Sequence, residues 1–117
     1  MPTPSEALEP HISEAELQRT IVEAFDTYGW LVFHDHDSRQ NRSGFPDICA
    51  VHPDTGWLVF YELKSKKGRI RPTQAKWIDA LWREHAHRIV RLVRPVMLDQ
   101  VISEIAAMSK SQPRRAQ

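Results

Sequence analysis

Cysteine occurs once in these 117 residues, at Cys49. A single thiol cannot form an internal disulfide framework, so the fold must rest on its core, and a reducing compartment is the default expectation. Long hydrophobic runs are missing too. No stretch approaches the ~20 apolar residues of a membrane span, and residues 1–12 lack the apolar core of a signal peptide. There is no internal repeat. The length allows one domain with one core. A hydrophobic content of 41% with four tryptophans fits a globular chain rather than a disordered one. These absences leave a soluble intracellular domain with no membrane partner as the expectation.

Net charge is low, +1, but unevenly spread. Residues 64–94 hold ten of the sixteen Lys and Arg against two acids, Asp79 and Glu84, whereas residues 1–62 hold eleven of the fifteen acids. A basic segment that follows acidic chain suits a phosphate backbone, although a solvated basic face has the same composition.

The stretch that carries chemistry runs from Gly44 to Lys64. Residues 46–51 and 57–63 are apolar runs of strand length, separated by turn residues His52-Pro53-Asp54-Thr55-Gly56. With Asp54-Thr55 as the loop, Val51 faces Leu58, Cys49 faces Phe60 and Asp47 faces Glu62. With Pro53-Asp54 as the loop the register moves by two, and Asp47 becomes the diagonal neighbour of Glu62. Either way the two carboxylates share a face, and Lys64, two residues on, points the same way. Opposed carboxylates repel, so a sheet built only for stability avoids them. A hard divalent cation reverses that, because Mg²⁺ takes carboxylate and phosphate oxygens, and Lys64 beside it could place a water or stabilise phosphate charge. The ordinary alternative is a solvated edge hairpin with a weak ion pair. Cys49 and Phe60, which read as core residues on the same face, count against that alternative.

At these residues the sequence resembles a known family. Pro46-Asp47 followed by Glu62-Leu63-Lys64 resembles the PD-(D/E)XK nuclease signature. The longer set is similar to the VRR-NUC branch, which includes stand-alone phage and bacterial nuclease domains: Ser43-Gly44-Phe45-Pro46-Asp47, Glu62-Leu63-Lys64-Ser65, Gly68-Arg69 and Pro72-Thr73-Gln74. The resemblance covers roughly residues 14–95. It implies a restriction-endonuclease-like αβββαβ core, a mixed sheet flanked by helices. It also implies a Mg²⁺- or Mn²⁺-dependent deoxyribonuclease, in the cytoplasm of a bacterial or phage-infected cell. Asp47, Glu62 and the Leu63 carbonyl would hold the ion, Lys64 would position the attacking water, and Gln74 would lie beside the site and bond a water or a base edge. A homodimer acting on branched DNA, as in junction resolvases of the same superfamily, is a further implication. The competing expectation is a non-catalytic nucleic-acid-binding module on the same fold.

The remaining chain supplies the supporting elements. Residues 1–12 read as a loose leader. Ser13-Glu14-Ala15-Glu16 has the pattern of a capping box that opens a helix. Leu17, Ile21, Ala24, Phe25 and Tyr28 continue it, and Gly29 ends it. The resembled family completes its metal site with an acid from this helix. Glu16 is the candidate, with the alternatives that Glu16 only caps the helix or that Gln18 takes the position. Trp30–Phe33 reads as a strand. The polar loop after it brings Arg39, Arg42 and Ser43 toward a phosphate, and the resemblance adds His34 and Ser38 as site-lining residues. His34-x-His36 with Asp35 and Asp37 has some zinc character, but His85-x-His87 is remote and completes no ligand spacing.

Lys66, Lys67, Arg69 and Arg71 form a basic turn and approach suited to nucleic acid. Pro72 opens a helix with an apolar stripe of Ala75, Ile78, Leu81 and Trp82. Trp77 and Trp82 are expected in the core rather than as base-stacking platforms. Residues 88–93 read as a strand, residues 96–108 as a last amphipathic helix, and residues 109–117 as a basic tail. The domain is thus expected over residues 13–108.

Overall fold

A computed structural model describes residues 12–34, 44–82 and 88–111. The expectations for Ser38, Arg39, Arg42, Ser43, His36, His85 and His87 lie outside those residues, as do most of the expected leader and tail.

The first helix, α1 (Glu14–Thr27), starts as its sequence dictates. Ser13 is the N-cap, and its hydroxyl accepts the Glu16 amide at 3.1 Å. The stripe Leu17, Ile21 and Phe25 is fully buried. Each such side chain contributes about 1.5–3 kcal/mol by leaving water. The chain leaves the helix through Tyr28 and Gly29 and enters β1 (Leu31–His34), one residue later than expected. β2 (Ile48–Val51) and β3 (Leu58–Leu63) form the hairpin. α2 (Pro72–Leu81) crosses over to β4 (Arg88–Val93). A short 3₁₀ turn (Pro95–Met97) leads into α3 (Leu98–Met108).

The sheet order is β1-β2-β3-β4, with the first two pairings antiparallel and β3–β4 parallel. This is the expected αβββαβ order in a mixed sheet. The hairpin register has Val51 opposite Leu58 and Cys49 opposite Phe60, as the Asp54-Thr55 loop requires.

Alternation along the strands separates two unequal faces. One carries Ile48, Ala50, Val59, Tyr61 and Leu63, which join Leu17, Ile21 and Phe25 of α1 and Val101, Ile105 and Met108 of α3 in the main core. Phe25 packs on Tyr61 with ring centroids 5.7 Å apart. Cys49 and Phe60 lie on the other face. They belong to a thinner layer rather than to the main core, and Cys49 is only half-buried.

The thin layer also corrects the reading of α2. Its stripe of Ala75, Ile78 and Leu81 is half-buried, and its one buried residue is Gln74. Trp77 is 37% exposed and Trp82 63% exposed, so neither is a core residue. A helical period identifies a stripe. It does not say how much protein covers it.

Long-range ties fix the ends. His52 is buried: its Nδ1 accepts the amides of Asp54 and Thr55 at 3.2 Å, and its Nε2 donates to the Tyr28 carbonyl at 3.1 Å. It thereby clamps the hairpin turn to the end of α1. Trp30 Nε1 donates to Ser109 Oγ at 2.7 Å, and Trp57 Nε1 to the Ser111 carbonyl at 2.8 Å. The first residues of the expected tail are therefore held to the body. Among the described residues, no helix is long and apolar enough to cross a membrane.

Candidate active site

The end of the hairpin brings Asp47 and Glu62 together. Asp47 immediately precedes β2, and its Oδ2 accepts the Leu63 amide from the far strand at 2.8 Å. That bond turns the carboxylate across the hairpin onto the side chain opposite it, Glu62, which is 1% exposed. Lys64 Nζ lies 3.6 Å from Glu62 Oε1, and the Lys64 amide donates to Val93 at 3.0 Å, so β4 anchors its backbone.

Gln74 reaches the same carboxylate from α2. Its Nε2 donates to Glu62 Oε1 at 2.9 Å, and its Oε1 accepts the Arg71 amide at 2.8 Å. The two partners fix the orientation of the amide, since one end must donate and the other accept. Gln74 therefore caps its own helix and orients Glu62, with one bond at each end of its amide. Gly44 makes this approach possible. A Cβ there would stand 2.5–2.8 Å from the backbone of Thr73 and Gln74.

The electrostatics are those of a crowded acidic pair. Burial pushes Asp47 above the usual carboxylate range, against the Leu63 amide, the adjoining Glu62 carboxyl and the charge of Lys64, which lower it. Glu62 is pushed up to about 8, first by burial and then by the adjoining Asp47 carboxylate, against Lys64. Glu62 Oε1 is satisfied by Gln74, whereas Oε2 is buried with no hydrogen-bond partner among the described residues. An orphaned carboxylate oxygen beside a second carboxylate fits a hard divalent cation, which would relieve both the missing bond and the repulsion.

Of the two acids in the first turn of α1, Glu14 and not Glu16 is the one turned toward the pair. Glu14 Oε1 accepts the Ser65 amide at 3.1 Å, and its charge acts on Asp47. Glu16 is exposed, with its amide on the Ser13 cap. The signal was in the spacing: Glu14 stands three residues before Leu17 and seven before Ile21, on the buried stripe. Gln18 contacts His34 instead, with its amide nitrogen 3.0 Å from Nδ1. Among the described residues, no three His, Cys, Asp or Glu cluster as metal ligands, and the zinc reading of His34 gains nothing. Lys66, Lys67, Arg69 and Arg71 are exposed along the approach to α2. Arg94 was not anticipated; its guanidinium donates to carbonyls of the Ser65–Gly68 turn.

No curated protein matches the chain. One solved structure, described as a VRR_NUC domain, matches with a TM-score of 0.59 and 25% identity, covering 77% of this chain and 94% of that one. The family model for the VRR-NUC domain matches residues 6–95. The chain therefore belongs to the VRR-NUC domain family, and its mixed four-stranded sheet flanked by helices is consistent with a nuclease-type fold.

Proposed function

We propose that this protein is a DNA endonuclease that uses Mg²⁺ or Mn²⁺ to hydrolyse phosphodiester bonds, with branched or junction DNA as its preferred form. The observation that carries the reading is the buried pair of Asp47 and Glu62, with Glu62 Oε2 lacking a hydrogen-bond partner among the described residues. A binding module has no use for a buried acidic pair that costs stability; a phosphodiesterase does.

Asp47, Glu62 and the Leu63 carbonyl are the proposed holders of the ion. A bound Mg²⁺ or Mn²⁺ would supply Lewis-acid stabilisation of charge on the phosphate. Hydrolysis adds a hydroxyl to phosphorus and a proton to the departing oxygen. Lys64, with its ammonium 3.6 Å from Glu62, has the charge and position to orient the attacking water. Gln74 keeps Glu62 in one rotamer. The exposed Lys66, Lys67, Arg69 and Arg71 are assigned to the phosphates on either side.

A single site of this size cuts one strand, so we assign a second copy of the chain as partner for cutting two. Edge strand β1 supports this: Leu31 and Phe33 are each 62% exposed there.

The test is cleavage of plasmid and branched oligonucleotides in Mg²⁺, Mn²⁺ or EDTA. Metal-dependent cutting that Asp47→Ala and Lys64→Ala both abolish, in folded protein, is the expected result. Wild-type protein that binds DNA but cuts with neither ion would establish the non-catalytic alternative.

A further inference from the structure

Lys64 is a long side chain with a precise task, and the fold restrains it from an unexpected direction. Directly after it the chain turns back: the Gly68 amide donates to the Ser65 carbonyl at 3.2 Å. Gly68 then lies against the Lys64 stem. A Cβ on Gly68 would stand 3.3 Å from Lys64 Cδ, 3.2 Å from Ser65 Oγ and 3.2 Å from Glu14 Oε1. The turn thus forms a lid over the methylenes of Lys64, while the ammonium reaches Glu62.

The sequence of that turn, Ser65-Lys66-Lys67-Gly68, does not favour one shape by itself. Two adjacent exposed lysines repel, and among the described residues the one backbone bond that spans it is Gly68 to Ser65. Two side chains from elsewhere hold it. Glu14 accepts the Ser65 amide at 3.1 Å. Arg94 Nη1 donates to the Ser65 and Gly68 carbonyls at 2.8 Å each, with the Lys66 carbonyl further away at 3.5 Å. Arg94 is itself fixed: it follows β4, whose Val93 carbonyl takes the Lys64 amide, and the buried Pro95 follows it.

We propose that Arg94 is a positioning residue for Lys64. By binding the two carbonyls at the ends of the turn, it presses Gly68 onto the lysine stem and keeps the ammonium beside Glu62. The inference rests on the nuclease reading for its kinetic consequence, but its geometric content is independent of it.

The experiment compares Arg94→Gln and Arg94→Lys with wild type. Arg91→Gln serves as a control, since it breaks the 2.6 Å pair that joins Arg91 of β4 to Glu104 of α3. Mn²⁺-dependent cleavage of a branched oligonucleotide gives kcat and KM. Amide hydrogen exchange at Ser65 and Gly68 reports the turn, and side-chain relaxation at Lys64 Cε reports the lysine. Arg94→Gln is expected to lower kcat about 10–100-fold with KM within about threefold. It should also speed exchange at both amides and mobilise Lys64, with Arg94→Lys recovering part of each. Arg91→Gln should lower the melting temperature and leave kcat and both amides as in wild type.

A normal kcat in Arg94→Gln, or a loss confined to KM, overturns the proposal. If wild type does not cut at all, the nuclease reading fails by itself. Faster exchange with a mobile Lys64 in Arg94→Gln then still upholds the positioning role, and unchanged exchange or an unchanged Lys64 refutes it.

Discussion

The Asp47 carboxylate accepts the Leu63 amide at 2.8 Å and so stands across the hairpin from Glu62 at the end of β3. Two acids that desolvate and repel each other sit where a sheet built for stability would carry apolar side chains. The consequences of that placement can be measured.

Stability should fall as pH rises in metal-free protein. Glu62 titrates near 8 when folded, against 4.5 for the unstrained group. A raised carboxyl pKa means that the folded state holds the proton more tightly, so its contribution is intact below pH 4.5 and is lost progressively up to about 8. The loss is on the order of a few kcal/mol. Thermal melts between pH 5 and 8.5 in EDTA should show the decline. Mg²⁺ or Mn²⁺ should restore stability at the upper end, and Glu62→Gln should flatten the profile.

The two acids at the start of α1 should separate in function. Glu14→Gln removes the charge near Asp47 and weakens, without deleting, the acceptor of the Ser65 amide, and is expected to lower cleavage at least about 10-fold. Glu16→Gln changes an exposed side chain and should leave activity within about twofold of wild type. Steady-state cleavage rates under matched metal concentrations decide it.

Gly44 and Gly56 both have positive φ, +81° and +79°, but different surroundings. Alanine at Gly56 meets open space, so the cost is that of backbone strain, about 1–2 kcal/mol. Alanine at Gly44 also strikes the backbone of Thr73 and Gln74, and about 3 kcal/mol or more is expected. Gly44→Ala should lose activity as well, because pushing α2 away carries Gln74 off Glu62. Urea denaturation with parallel cleavage assays checks both statements.

Trp77 lies one helical turn past Gln74, edge-on to Phe45 at 5.1 Å, which in turn meets Phe60 at 6.0 Å. A partly exposed indole on the helix whose Gln74 bonds Glu62 is suited to stack a base, worth about 1–3 kcal/mol per base. Single-stranded oligonucleotide added in EDTA should quench tryptophan fluorescence. Trp77→Leu should abolish most of the quenching and weaken binding roughly 5–100-fold, with Trp82→Leu affecting both less. Equal effects of the two substitutions would count against a specific platform.

The hairpin and its register were legible because strand parity and turn chemistry are local. Asp47, Glu62 and Lys64 share a face whichever turn is chosen, so their convergence needed no knowledge of the fold. Glu14 was legible in principle from its place on the Leu17–Ile21 stripe, but the capping pattern drew attention to Glu16. Trp77 and Trp82 were misplaced because helical period cannot tell a filled face from a thinly covered one. Arg94 had no local signal at all. It acts on carbonyls 26 and 29 residues earlier in the chain, a relation that only the parallel β3–β4 pairing creates.

The central claim is that Asp47 and Glu62 together hold one divalent ion. Calorimetric titration of Mn²⁺ into wild type, Asp47→Asn and Glu62→Gln tests it without any DNA. A single site in wild type, weakened about 100-fold or more by either substitution while each variant stays folded, is the predicted result. Mn²⁺ affinity that survives both substitutions, or a folded wild type that binds no Mn²⁺, would contradict it.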